Sequence, residues 1–142
     1  MKKTILILLF AILSTLTLSA QTRQEVLASK VAEHDMLYEM AQTKISLHEV
    51  RIEKCLTQIE LFKKNFGKNA DKLISDKNND IKGLEKGISH YKTGLEELEV
   101  IKQSLTELEN IEDESVFNEK LKKVEDDLFL TDFRVRRTVL GW

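Results

Sequence analysis

Stepping alternately four and three residues through positions 27–66 meets Leu27, Val31, His34, Tyr38, Ala41, Ile45, His48, Ile52, Cys55, Ile59, Phe62 and Phe66. All but His34 and His48 are apolar, aromatic or small, and the chain contains no proline. A 3.5-residue period sustained over that length predicts one continuous helix carrying a coiled-coil seam. A second apolar line, Val26, Met40, Leu47 and Leu61, lies one residue before seam positions. It widens the buried face beyond what a two-stranded coil needs and implies contact with more than one helix.

Upstream, Thr22, Arg23, Gln24 and Glu25 match a capping box, so the helix is expected over 22–66, roughly 67 Å long at 1.5 Å per residue. Gly67 suits a left-handed helix end, and Asn69 or Asp71 can cap the next helix. The period resumes at Ala70, Ile74, Ile81, Leu84, Ile88, Tyr91, Leu95 and Leu98, with Lys77 as a polar interruption. It then slips to Ile101, Leu105, Leu108 and Ile111, giving a second helix over 69–109. Asn110, Asp113 and Ser115 are cap residues, and Phe117, Leu121, Val124, Leu128 and Val135 mark a third helix over 114–140.

The fold class is therefore all-α: a long antiparallel, coiled-coil-like hairpin with a shorter third helix packed on it. A turn at Gly67 sets Ile52 near Leu84 and Tyr38 near Leu98. A turn near residue 112 brings the end of the third helix opposite Gly83 and Gly87, with Trp142 near Gly83. The result is a three-helix bundle from which a two-helix tip projects by roughly 20–25 Å. Gly83, Gly87 and Gly94 lie inside the second helix, where each costs about 1 kcal/mol relative to alanine. Close approach of another helix is the reading that explains them.

The first twenty residues change the domain count. Lys2 and Lys3, the apolar run 5–13 and the small, hydroxyl-rich 14–20 read as a secretory signal peptide cleaved after Ala20. The apolar core is nine residues, short of the roughly 18–20 needed to span a bilayer. One mature domain, 21–142, is expected in the periplasm or secreted. Of the 22 basic residues Lys2 and Lys3 are lost with the signal, leaving 20 against 24 acidic ones, a net charge of about −4. That mild acidity and export argue against nucleic acid. The single Cys55 cannot close an internal disulfide and reads as a small buried hydrophobe.

Charge is uneven. Lys63, Lys64, Lys68, Lys72 and Lys77 surround the first turn, whereas Glu107, Glu109, Glu112, Asp113 and Glu114 surround the second. A basic tip exposing Ile59, Phe62, Phe66 and Ile74 is one candidate interaction site, with Lys63, Lys64 and Lys68 beside it. The C-terminus is the other, where Arg134, Arg136 and Arg137 precede Trp142. Its alternative reading is a packed last helix whose arginines reach acidic faces. His34 and His48 stand two heptads apart, roughly 21 Å along the helix, too far to share a metal.

No catalytic constellation, phosphate loop or metal-ligand pair stands at recognisable spacing, so neither enzymatic activity nor a cofactor is expected. The function expected is that of an exported helical structural or adaptor protein in the cell envelope, acting through one or more protein partners, a homo-oligomer included. Membrane contact is expected only through an uncleaved signal or a weak basic C-terminal contact. In outline, a signal, a short mature chain and a long hairpin with a basic tip, the chain resembles the periplasmic Skp-type holdase chaperones. The resemblance covers architecture alone: that family builds a small β-strand body before its hairpin, whereas this mature chain enters a helix at Thr22. An accessory subunit of a secretion or conjugation apparatus is a further alternative.

Overall fold

A computed structural model describes residues 2–137, with side chains from Thr22 onward. Its elements are α1 (Lys2–Phe66), a 3-10 turn (Gly67–Ala70), α2 (Asp71–Leu108) and α3 (Glu114–Arg136). Among the described residues no strand occurs, and α1 and α2 form an antiparallel hairpin against which α3 packs. The side chains of the expected signal, residues 1–20, and Trp142 with its expected place near Gly83 lie outside the described residues.

α1 starts before Thr22, so the expected capping box does not open it. In a continuous helix the amides of Gln24 and Glu25 take carbonyls of the preceding turn, and a cap has no free donor to satisfy. At the other end Gly67 adopts φ +52°, the left-handed conformation that reverses the chain without a Cβ penalty. Neither Asn69 nor Asp71 caps α2. The residue before the helix is Ala70, already helical at φ −86°, ψ −6°, and Asp71 instead sits in the first turn, where its charge favours the helix N-terminus. Asp113 does cap α3: its Oδ1 accepts from the Val116 amide at 3.0 Å.

The core runs along the hairpin and under α3, with Leu37, Leu98, Ile101, Leu105, Leu108, Phe117, Val124 and Leu128 in one cluster. Most of the seam read from the sequence is inside, but Val31 is 40% exposed while Leu37, off that seam, is fully buried. The cause is α3. Beside it, α1 must face between two neighbours rather than one, which rotates its buried stripe.

A heptad column on α1, Arg23, Lys30, Leu37 and Lys44, forms the face toward α3. Arg23 donates to the carbonyls of Ile111 and Glu112 at 3.5 and 3.3 Å, and its guanidinium lies 4.8 Å over the Phe117 ring. Lys30 reaches Glu125 at 3.4 Å. Lys44 donates to the carbonyls of Val135 and Arg136 at 2.6 and 3.3 Å, the unpaired acceptors at the end of α3. Long cationic side chains bury their stems and deliver their heads to acceptors. Here they clamp α3 at both ends and at its middle.

Gly87 and Gly94 of α2 are close contacts. A Cβ on Gly87 would lie 2.7 Å from Nε2 of His48, and one on Gly94 would lie 3.1 Å from Cγ2 of Val135. Val135 meets Gly94, where a turn at residue 112 would set it near residue 89, because the connection after Leu108 includes the extended Asp113 and sets α3 back by about a turn; the expected end of the third helix, 138–140, lies outside the described residues. Among the described residues, α1 and α2 continue beyond the end of α3 with each other as a two-helix tip. From His48 to Phe66 it is roughly 27 Å long by helical rise.

Candidate functional site

The tip is better packed than its sequence implies. Ile59, expected at the surface, is only 6% exposed, and Cys55 and Ala70 are buried with it. This corrects the expected exposure of Ile59: it falls on the side of α1 that faces α2, and two helices suffice to cover a stripe one residue wide. Phe62 and Ile74 are half-buried, Phe62 against Phe66 with ring centroids 6.3 Å apart. Phe66 remains 53% exposed, with Lys63, Lys64 and Lys68 in solvent around it. Lys77 is held by Asp80 at 2.8 Å.

The C-terminal arginines divide. Arg134 lies across α2, its Nε donating to Glu97 Oε2 at 2.9 Å, where Thr131 also donates at 3.3 Å. His90 Nε2 donates to the Arg134 carbonyl at 3.0 Å. Arg136 pairs with Asp132 one turn back on its own helix. Arg137 lies over the Phe133 ring at 5.9 Å. Packing accounts for Arg134, whereas Arg136 and Arg137 stay at the surface.

What these contacts frame was not singled out from the sequence. Phe129, Leu130, Phe133 and Val100 are 71, 64, 63 and 62% exposed, the most exposed large hydrophobics among the described residues. Val100, Leu130 and Phe133 border a groove of about 510 Å³ between α2 and α3, whose floor includes Ile101 and Thr131. Glu97 and Arg134 neutralise each other across it, with His90 and Arg137 at one end and Asp127 near the other. At its centre Glu97, Thr131 and Arg134 are thus bonded to one another while the apolar side chains of the rim face water. That arrangement suits an apolar helix face or side chain.

A signal for this site was present. The core stripe of α3 is Phe117, Val124, Leu128, Thr131 and Val135. Phe129, Leu130 and Phe133 fall on the opposite face, so α3 carries two apolar faces where a helix packed on one side needs one.

The histidines act as interhelical polar contacts. His34, buried, donates through Nε2 to the Leu98 carbonyl at 3.0 Å, with Nδ1 2.9 Å from Asp35 Oδ1. Among the described residues no cluster of metal-ligating side chains occurs, and no helix is long and apolar enough to cross a membrane. No family model, curated protein or solved structure matches the chain.

Proposed function

We propose that this chain is an exported, non-catalytic helical adaptor of the cell envelope, acting by protein–protein contact through the α2–α3 face. One observation carries the reading: three of the four most exposed large hydrophobics among the described residues, Val100, Leu130 and Phe133, border the groove on that face, across which Glu97 and Arg134 already pair. Leaving such side chains in water costs roughly 25 cal/mol per Å² relative to burial, a cost that a partner removes.

Export rests on the N-terminal pattern of Lys2, Lys3 and the apolar run before Ala20. The chain expressed with its own N-terminus is expected outside the cytoplasm beginning at Gln21; recovery of the intact N-terminus in the cytoplasm would sink that part. For the adaptor role, Phe133→Ser is expected to abolish association with the partner that the wild-type chain holds, while Phe66→Ser leaves it intact. The converse result would move the site to the tip.

A holdase role is favoured only by the lysine-ringed Phe66, since Ile59 is committed to the hairpin interior. A holdase would suppress aggregation of unfolded clients and lose that activity with Phe66→Ser.

A further inference from the structure

We infer that the partner seated on the outer face of α3 is a second copy of this chain, packed antiparallel about a two-fold axis near Thr131. The inference deepens the adaptor reading and rests on it. Asp126, Leu130, Phe133 and Arg137 are spaced four, three and four residues apart, the interval of a coiled-coil seam, and all are exposed. The Arg137 amide still donates to the Phe133 carbonyl at 3.1 Å, so this arginine leaves α3 on the helical register.

From its N-terminal end, the seam runs acid, apolar, apolar, base. Reversing it against itself places Asp126 on the partner's Arg137 and Leu130 on the partner's Phe133, and the two-fold axis repeats both pairs. Beside the seam Phe129 meets the partner's Arg136, a cation over an aromatic ring. A parallel pair would set Asp126 on Asp126 and Arg137 on Arg137. The order of charges selects the antiparallel arrangement, and self-complementarity of this kind defines an isologous contact.

Among the described residues Asp126 makes no ion pair, and Arg137 covers Phe133 of its own helix. Dimerisation replaces that local cover with the partner's Leu130 and turns Arg137 toward an acid. The seam is only about 16 Å long, so with Val100 and the groove rim it falls below the roughly 800 Å² per partner of a standard interface. A micromolar dimer is the consequence.

The test is sedimentation of the full chain purified after export, up to about 200 µM. A monomer–dimer equilibrium is expected, weakened about tenfold or more by Phe133→Ser and severalfold by Asp126→Arg or Arg137→Asp alone. The double swap Asp126→Arg with Arg137→Asp is expected to restore it, which no purely structural role of either residue would do. A wild-type monomer throughout, or a double variant weaker than both singles, overturns the inference.

A photo-crosslinking residue at Leu130 in cells separates it from the reading beneath it. An adduct of twice the chain mass supports the second copy. An adduct only of another mass overturns self-association and leaves the adaptor standing. No adduct, together with a monomer in solution, removes both.

Discussion

The imidazole of His48 occupies the space that a side chain on residue 87 would need: a Cβ built on Gly87 would lie 2.7 Å from Nε2 and 2.8 Å from Cδ2. The ring cannot swing aside cheaply. Its Nδ1 donates to the Lys44 carbonyl at 2.9 Å, and it stands edge-on to Tyr91 with centroids 5.5 Å apart. Alanine in place of a helical glycine ordinarily gains about 1 kcal/mol. Gly87→Ala is nonetheless expected to lose about 1–2 kcal/mol in urea unfolding, because overpacking outweighs propensity. Adding His48→Ala should recover the alanine's gain, so that the double variant is more stable than His48→Ala alone. Gly94→Ala, whose Cβ meets a Val135 methyl at 3.1 Å and the Arg134 Cδ at an ordinary 3.8 Å, should be near neutral.

His34 tests the polar contact inside the bundle. It is buried beside Leu37 and Leu98, and its Nε2 donates to a backbone carbonyl of α2. His34→Ala removes that bond and leaves a cavity, for an expected loss of about 2–4 kcal/mol by thermal or chemical unfolding. A loss below about 0.5 kcal/mol would mean the contact contributes nothing net.

The two inward lysines of α1 predict opposite pH responses. Burial pulls Lys30 down, but its bonds with Glu33 and Glu125 outweigh that and raise it above 10.5. The folded chain then keeps this proton longer than the unfolded one, so the stabilisation is complete below 10.5 and fades as pH climbs through the folded value. Lys44 is lowered, first by burial and then by the charge of Arg136. The folded chain releases this proton first, so stability gains as pH rises through the folded value toward 10.5. Relative to wild type, Lys44→Met should therefore become more damaging as pH rises toward 10.5, and Lys30→Met less damaging as it rises beyond 10.5. Slopes of the same sign would refute the pairing.

Lys44 also predicts where loosening begins. With its bonds to the Val135 and Arg136 carbonyls gone, Lys44→Met should speed hydrogen exchange in the last turns of α3 while leaving tip amides unchanged.

At the tip, Ile59 and Phe66 should separate packing from exposure. Ile59→Ala is expected to cost about 2–3 kcal/mol and to open amides between residues 52 and 84 in hydrogen exchange. Phe66→Ser should change stability by no more than about 0.5 kcal/mol. Equal effects would show that Phe66 is part of the core.

Much of the architecture was legible because it depends on local rules. The unbroken period without proline defines the long helices, Gly67 supplies the left-handed turn, and Asp113 supplies the cap before α3. From Cys55 onward the seam was legible in part: Cys55 and Ile59 lie inside it because α2 is the one neighbour of α1 there among the described residues, which is also why Ile59 is not exposed as expected. The candidate site was legible only in part. Arg134, Arg136 and Arg137 were visible as a basic cluster, but that Arg134 would be consumed by Glu97 while Phe129, Leu130 and Phe133 stayed in water depends on which face α3 presents.

By itself, then, the sequence determined three helices, their turns and their antiparallel hairpin order, because hydrophobic period and turn chemistry act over a few residues. The tertiary structure decided the rest: that Leu37 rather than Val31 is buried, that the column of Arg23, Lys30 and Lys44 clamps α3, and that one apolar face of α3 is left outside. A heptad period defines a stripe around a helix but not its azimuth toward a second neighbour. That angle is set only when side chains hundreds of atoms apart along the chain meet and compete for the same space.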